Sequence, residues 1–306
     1  MTTSLPQKIH KKRKPISWRI WVIFLPGLLF VATFTFYPMA KMLVMSFFDW
    51  HIGLHQTSTF VGLKNYIDVL SDPIAHIAIT NTLVYALVTV PLQMIIGLFV
   101  ATLIHGITRW SVLFRLAYYL PVITSWVVVA LLFRYIFSNY GLLNYFLSDI
   151  LHLTDGPVGW LSTRWSALGA TMLLGVWKGI GWNMIIFLAA LQAVPKHLYE
   201  AADIDGANRF QKFRFITLPG IKGTILFALV MLTIGAVNTY TPIAVLTAGN
   251  PAHQTEVVLT WMYFETFSAL KFGYSAAMSI IIALTIVIFT LIMFRASLGK
   301  KEVRNP

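Results

Sequence analysis

Between Lys271 and Arg295 the chain carries no charge, and residues 274–294 read YSAAMSIIIALTIVIFTLIMF. That run is long enough to cross the ~30 Å hydrocarbon core of a bilayer, which takes about 20 apolar helical residues. Lipid offers no partner to a backbone N–H or C=O, so the segment must satisfy its own polar groups, and a helix does so. Five further windows meet the same length test, at 20–47, 79–104, 116–133, 166–193 and 225–248. The expected fold class is all-α, a polytopic bundle of about six transmembrane helices. Composition agrees, with 58% hydrophobic residues, 11% charged and ten Trp beside twelve Tyr. Soluble domains carry about 25% charge, and indole and phenol rings favour the headgroup region.

Net charge is +12. The bases fall in blocks between apolar runs, which points to membrane topology and not to nucleic acid. Residues 1–19 hold six bases and no acid, and residues 295–306 hold four bases against Glu302. Both tails are therefore expected in the cytoplasm, flanking a membrane domain at 20–294. With alternate connections assigned inward, cytoplasmic segments hold 17 bases and four acids, and the outer connections four bases and seven acids. The first apolar run, 21 residues between Arg19 and Lys41 and without a small-residue cleavage site, reads as an uncleaved spanning helix. The outer connections 51–78 and 134–165 are long. The second, with YGLLNYFLSDILHLTDGPVGWLS, reads either as a short helix sealing the bundle or as a docking surface.

Several machines lack their parts. No G-x-x-x-x-G-K-[ST] loop is present for ATP, no clustered metal ligands, and no cysteine. All eleven acids lie outside the predicted spans, where an ion-driven carrier places carboxylates. Lys41 lies near a span end, from which its stem can snorkel. Lys178, in GVWKGIGWN, is nearer the middle of its span, where an ammonium costs about 2.5–3.5 kcal/mol on insertion scales. It reads either as a structural charge on backbone carbonyls or as part of a hydrated passage, and Trp177, Asn183 and three nearby glycines favour the passage. A second polar insertion, Asn238, Thr239, Tyr240 and Thr241 before Pro242, interrupts the fifth span. Its groups suit a neutral, hydroxyl-rich solute or simple interhelical bonding, and Pro242 removes a backbone donor and can free carbonyls.

Residues 195–219 form a polar interruption, PKHLYEAADIDGANRFQKFRFITLP. Pro195 suits a first helical position, Gly206 a C-terminal cap, and ANRFQKFRFIT a second helix ending before Pro219. The first helix reads either as lying on lipid or as a rigid knob gripped by a cytoplasmic partner. Glu200, Ala201, Ala202, Asp205, Gly206, Ala207, Ile216, Leu218 and Pro219 fall in the register of the E-A-A-x-x-D-G-A…I-x-L-P signature. On these residues, and on YPMAKMLVMSFFDW, FRLAYYLPVI and VWKGIGWNMIIFLAALQAVP, the chain resembles the membrane-spanning permease subunits of binding-protein-dependent ABC importers, in their maltose-type, carbohydrate-uptake branch. Gly223 departs from relatives that often place a second proline there.

The resemblance implies a subunit without catalysis or cofactor of its own, in a prokaryotic cytoplasmic (inner) membrane. A related second permease subunit would complete a heterodimeric passage, two cytoplasmic ATPase subunits would hold ATP and Mg, and an external receptor would deliver a sugar, favoured as an oligosaccharide. The signature residues would form the coupling helix between spans four and five, with Ile216, Leu218 and Pro219 joining it to the fifth span. The passage candidates Trp177, Lys178, Asn183, Asn238, Thr239, Tyr240 and Thr241 come from the residues alone. A self-contained carrier or channel is the main rival, and a membrane enzyme ranks third.

Overall fold

The computed structural model describes residues 18–52, 57–107 and 109–298. Most of both basic tails lies outside these. The elements run α1 (Trp18–Val31), α2 (Tyr37–Met45), a hairpin of β1 (Phe48–Asp49) with β2 (Thr59–Phe60), α3 (Lys64–Ser71), α4 (Pro73–His105), α5 (Ser111–Ile123), α6 (Trp126–Ile136), α7 (Leu142–Asn144), α8 (Arg164–Ala193), α9 (Lys196–Ile204), α10 (Arg209–Lys212), α11 (Leu218–Gly220), α12 (Lys222–Val237), α13 (Thr241–Leu246), α14 (Val258–Phe267) and α15 (Phe272–Leu298). Among the described residues five stretches are long and apolar enough to cross a membrane: Ile23–Met45, Pro73–His105, Arg164–Ala193, Lys222–Leu246 and Phe272–Arg295. A sixth is the pair α5 and α6, bent by 93° at its break. The chain is an all-α, multi-pass membrane bundle.

The structure departs from four expectations. The third window is not a straight helix: Thr124 and Ser125 are extended, with ψ of 151° and 134°, and divide it. Pro242 frees no carbonyl inside a helix, because the chain has already broken at Asn238–Tyr240 and Pro242 sits in the first turn of α13, where its missing N–H is tolerated. The helix after Gly206 does not stop before Pro219. It passes through a wide turn, Phe213–Thr217, in which the Leu218 amide reaches back five residues to the Phe213 carbonyl, and it runs on to Gly220. Proline has no N–H to donate, and the wider turn carries the helix past that missing bond. Pro195, placed at a first helical position from sequence, is the cap preceding Lys196.

Small side chains bring α4 and α8 together. A Cβ added at Gly97 would meet the Asn183 Cβ at 2.5 Å. In lipid, packing of this kind and interhelical hydrogen bonds carry much of the association that the hydrophobic effect drives in water. Beside it Val100, Ala101 and Ile104 of α4 pack on Met184, Phe187, Leu188 and Leu191 of α8. Towards the other end, Val69, Ala75 and Ala78 pack against Val258, Trp261, Ala277 and Met278. Here Asp72 caps α4 by accepting from the Ile74 amide at 2.8 Å, and its second oxygen accepts from Trp261 Nε1 at 3.0 Å and Tyr274 Oη at 2.5 Å, so one carboxylate joins α4, α14 and α15.

Arg164, at the end of the 134–165 connection, begins α8. Its Nε and Nη2 donate to Asn81 Oδ1 at 3.0 and 2.8 Å, while Asn81 Nδ2 donates to the carbonyls of Gln254 and Glu256 at 2.8 and 2.7 Å. Glu256 and Glu265 lie outside the spans, as read, yet both are buried. His253 meets the first at 2.9 Å and Lys271 the second at 2.9 Å. The 134–165 connection does hold a short helix, α7 and its wide-turn continuation Tyr145–Ile150. Asn144 closes it, donating to the Ser138, Asn139 and Val158 carbonyls and accepting from the Val158 amide and Trp160 Nε1.

Candidate functional site

The candidate sites are a cavity in the bundle and the corner at Gly206. The cavity, about 240 Å³, is walled by Tyr85, Thr89 and Gln93 of α4, Trp126 of α6, Gly175, Gly179 and Trp182 of α8, and Met231, Leu232, Gly235, Ala236 and Thr239 on and just after α12. Helical spacing selects these residues. Positions 85, 89 and 93 stand one turn apart, as do 175, 179 and 182, so each set makes a single stripe. Gly179 makes room for the polar stripe, since a Cβ there would lie 2.0 Å from Gln93 Oε1. None of the twelve lining residues is charged. The walls offer one phenol, two indoles, two hydroxyls and an amide, which suit hydrogen bonding and ring stacking to an uncharged, hydroxylated guest.

Of the seven passage residues named from sequence, Thr239 is in this wall. Trp177 is on another side of α8, half exposed, with its ring 5.5 Å from that of Phe133. Lys178 is 3% exposed, and its ammonium donates to the carbonyls of Pro121 at 2.6 Å, Val122 at 3.3 Å and Thr124 at 2.7 Å. That geometry is the carbonyl-bound arrangement of the two readings. Asn183 sits buried behind the wall, donating to the Gly179 carbonyl at 3.0 Å and to Gln93 Oε1 at 3.5 Å. Asn238 turns back to the Ile234 carbonyl at 2.8 Å, and Tyr240 packs its ring 5.4 Å from that of Tyr263. Thr241 opens α13. Tyr85, Thr89 and Gln93 are not among those seven, although polar residues at every fourth position along an apolar span are a visible signal in the sequence.

Beyond the C-terminal end of α8, α9 ends in a tight corner. Gly206 has φ of +74°, a region open to glycine and costly to other residues. The amides of Asp205, Gly206 and Ala207 bond back to the carbonyls of Ala201, Asp203 and Ala202. Asn208 and Gln211 form a reciprocal cap that starts α10, and Lys212 pairs with Asp203 across the corner. Tyr199 and Thr217 share a hydrogen bond of 2.9 Å, and Tyr199 and Ile216 pack on the α4–α8 core, so the corner is fastened to the bundle at its base. Glu200, Ala201, Asp205, Gly206 and Pro219 are exposed, with Ala202, Ala207, Ile216 and Leu218 partly covered. Ile204 is 88% exposed and Phe210 72%.

The family model for the binding-protein-dependent transport system inner membrane component matches residues 78–297. The chain is 32% identical to the probable ABC transporter permease protein YurN of Bacillus subtilis, over 92% of this chain and 97% of that one. It is 33% identical to the trehalose/maltose transport system permease protein MalF of Thermococcus litoralis, over 99% of this chain and all of that one. It is 31% identical to the lactose transport system permease protein LacF of Rhizobium radiobacter, over 92% and 94%. In fold it is similar to a chain of a bacterial ABC transporter involved in the import of the acidic polysaccharide alginate, with a TM-score of 0.81, 23% identity, and 93% and 96% of the two chains covered. The same fold occurs in that transporter in complex with an alginate pentasaccharide-bound periplasmic protein, at a TM-score of 0.80 and 24% identity.

Proposed function

We propose that this chain, which belongs to the family of binding-protein-dependent transport system inner membrane components, forms half of the passage through which an ABC importer moves a neutral saccharide. The observation that carries the reading is the uncharged cavity, in which Trp126 and Trp182 offer stacking faces and Tyr85, Thr89, Gln93 and Thr239 offer hydrogen bonds. Relatives named for lactose and for trehalose/maltose support the substrate class. An oligosaccharide is longer than a cavity of about 240 Å³, so it is held one or two rings at a time. A related second permease subunit supplies the facing wall, and an external receptor delivers the sugar.

Energy comes from elsewhere. Two cytoplasmic ATPase subunits bind ATP and Mg, and this chain performs no catalysis. The exposed corner, with Glu200, Ala201, Ala202, Asp205, Gly206 and Ala207, seats in a groove of one ATPase, where Ile204 and Phe210 find an apolar surface. Ile216, Leu218 and Pro219 join that lever to α12. When the ATPases close, the corner is drawn inward and the bundle shifts between outward-facing and inward-facing states. On this reading the membrane is the prokaryotic inner membrane, with both chain ends in the cytoplasm.

Co-purification followed by reconstitution in proteoliposomes tests the proposal. An ATPase should copurify, and saccharide uptake should require ATP and the receptor. Uptake without ATP, or a preparation free of any ATPase, would support the self-contained carrier and sink the importer reading.

A further inference from the structure

The break between α5 and α6 poses a problem in lipid that Lys178 solves. Helix α5 ends at Ile123, and Thr124 and Ser125 are extended, so the last carbonyls of α5 find no amide further along the chain. A helix C-terminus also carries partial negative charge. Thr124 Oγ1 donates to the Pro121 carbonyl at 2.6 Å, and the ammonium of Lys178 takes up the rest of the need, with the carbonyls of Pro121, Val122 and Thr124 within 3.3 Å. Its three donors are thus matched to three carbonyls. One turn along α8 the Tyr118 carbonyl comes so near Gly181 that an added Cβ would lie 2.0 Å from it. Residues 178 and 181 therefore form one seam on which the end of α5 rests. The ammonium is also 4.9 Å from the centre of the Trp126 ring, and Trp126, the first residue of α6, is in the cavity wall.

We propose that Lys178 is a positioning residue for transport: it locks the right-angle break of α5 and α6 to α8 and sets the Trp126 ring against the passing solute. It acts through the corner and touches no solute itself. With the lock in place the corner moves as one body with α8. Without it, the freed carbonyls have no partner, α6 loses its fixed angle, and the stacking face leaves the wall. The inference rests on the transport reading given above.

The chain has no cysteine, so spin labels can be placed at Leu116 and Leu132, both exposed and on either side of the break. In the complete transporter the wild type should give one narrow distance distribution. Lys178→Met should broaden or shift it and raise the KM for saccharide uptake about fivefold or more, with a smaller change in Vmax. Lys178→Arg, which keeps a cation and its donors, should restore both. Coincident distributions for Met and wild type, an unchanged KM, or an arginine variant no better than methionine each overturn the proposal. Should Lys178→Met fail to assemble, Lys178→Gln decides: a raised KM in an assembled complex supports the lock, and an unchanged KM or a second failure to assemble overturns it. If the wild-type transporter takes up no saccharide, the transport reading falls, and the label distances still decide whether Lys178 holds the corner.

Discussion

At Gly206 the backbone takes a φ of +74°, which glycine adopts at little cost and residues with a Cβ do not. The left-handed conformation at Gly206 is local: a helix of about nine residues ended by glycine and restarted by an Asn-x-x-Gln cap is readable from five or six neighbours. A Cβ at Gly206 meets no atom within 4 Å, so substitution there strains the backbone without a clash. Gly206→Val should cost about 1–2 kcal/mol at the corner while leaving the bundle assembled. On the importer reading, stimulated ATP hydrolysis and uptake should separate, with uptake falling about tenfold or more; uptake at wild-type rate would show that the corner transmits nothing. Lys178 was visible as a charge in an apolar run, but its partners lie 54 to 57 residues away. The sequence therefore showed that the ammonium needed a polar neighbour, but the glycines and Trp177 around it weighed towards water, where the structure has carbonyls.

Elements were legible where one period dominates. The last span has no internal conflict and appears as a single helix, Phe272–Leu298. Spans three and five contain their own interruptions, Pro121 followed by β-branched residues and the polar Asn238–Thr241, and both break. Hydropathy averages across such points, which is why the window 116–133 gave no sign of a 93° bend. The join of α4, α14 and α15 was equally hidden, because Trp261 and Tyr274 meet Asp72 across 189 and 202 residues. Burial works to raise the Asp72 pKa, but the hydrogen bonds from Tyr274, the Ile74 amide and Trp261 outweigh it and hold the carboxyl below its ordinary 3.8. A depressed native value means that the unfolded chain takes up the proton first. The stabilisation is then complete above pH 3.8 and is lost as the pH falls through the lower native value. Asp72→Ala removes the cap, at about 0.5–2 kcal/mol, and also strands the Trp261 and Tyr274 donors. Its melting temperature in detergent should fall at pH 7, and the gap to wild type should narrow below pH 3.8; a gap constant from pH 7 to 3 would refute the hydrogen bonding of an ionised Asp72 to α14 and α15.

At the scale of the whole molecule, the bundle resembles in shape a transporter for an acidic polysaccharide, yet its own cavity wall carries no base to meet a carboxylate. The ammonium of Lys178, which faces the Trp126 ring, is already bound to three carbonyls. A uronate ring entering this wall would leave water without a counter-charge, a transfer costing several kcal/mol. A neutral ring would exchange its water for Tyr85, Thr89, Gln93 and Thr239. On the importer reading, the transporter reconstituted with its partners should therefore take up a neutral oligosaccharide at least about tenfold faster than a uronic-acid oligosaccharide of equal length, when both are supplied at saturation so that receptor affinity drops out. Gln93→Leu keeps the bulk and removes the amide, and should raise the KM for the neutral sugar about threefold to tenfold. Gln93→Lys should narrow the preference by admitting the acidic sugar. Equal rates for both sugars through the wild type, with none of these variants changing the ratio, would mean that selection happens at the receptor or in the second permease subunit, and that this wall is a passive surface.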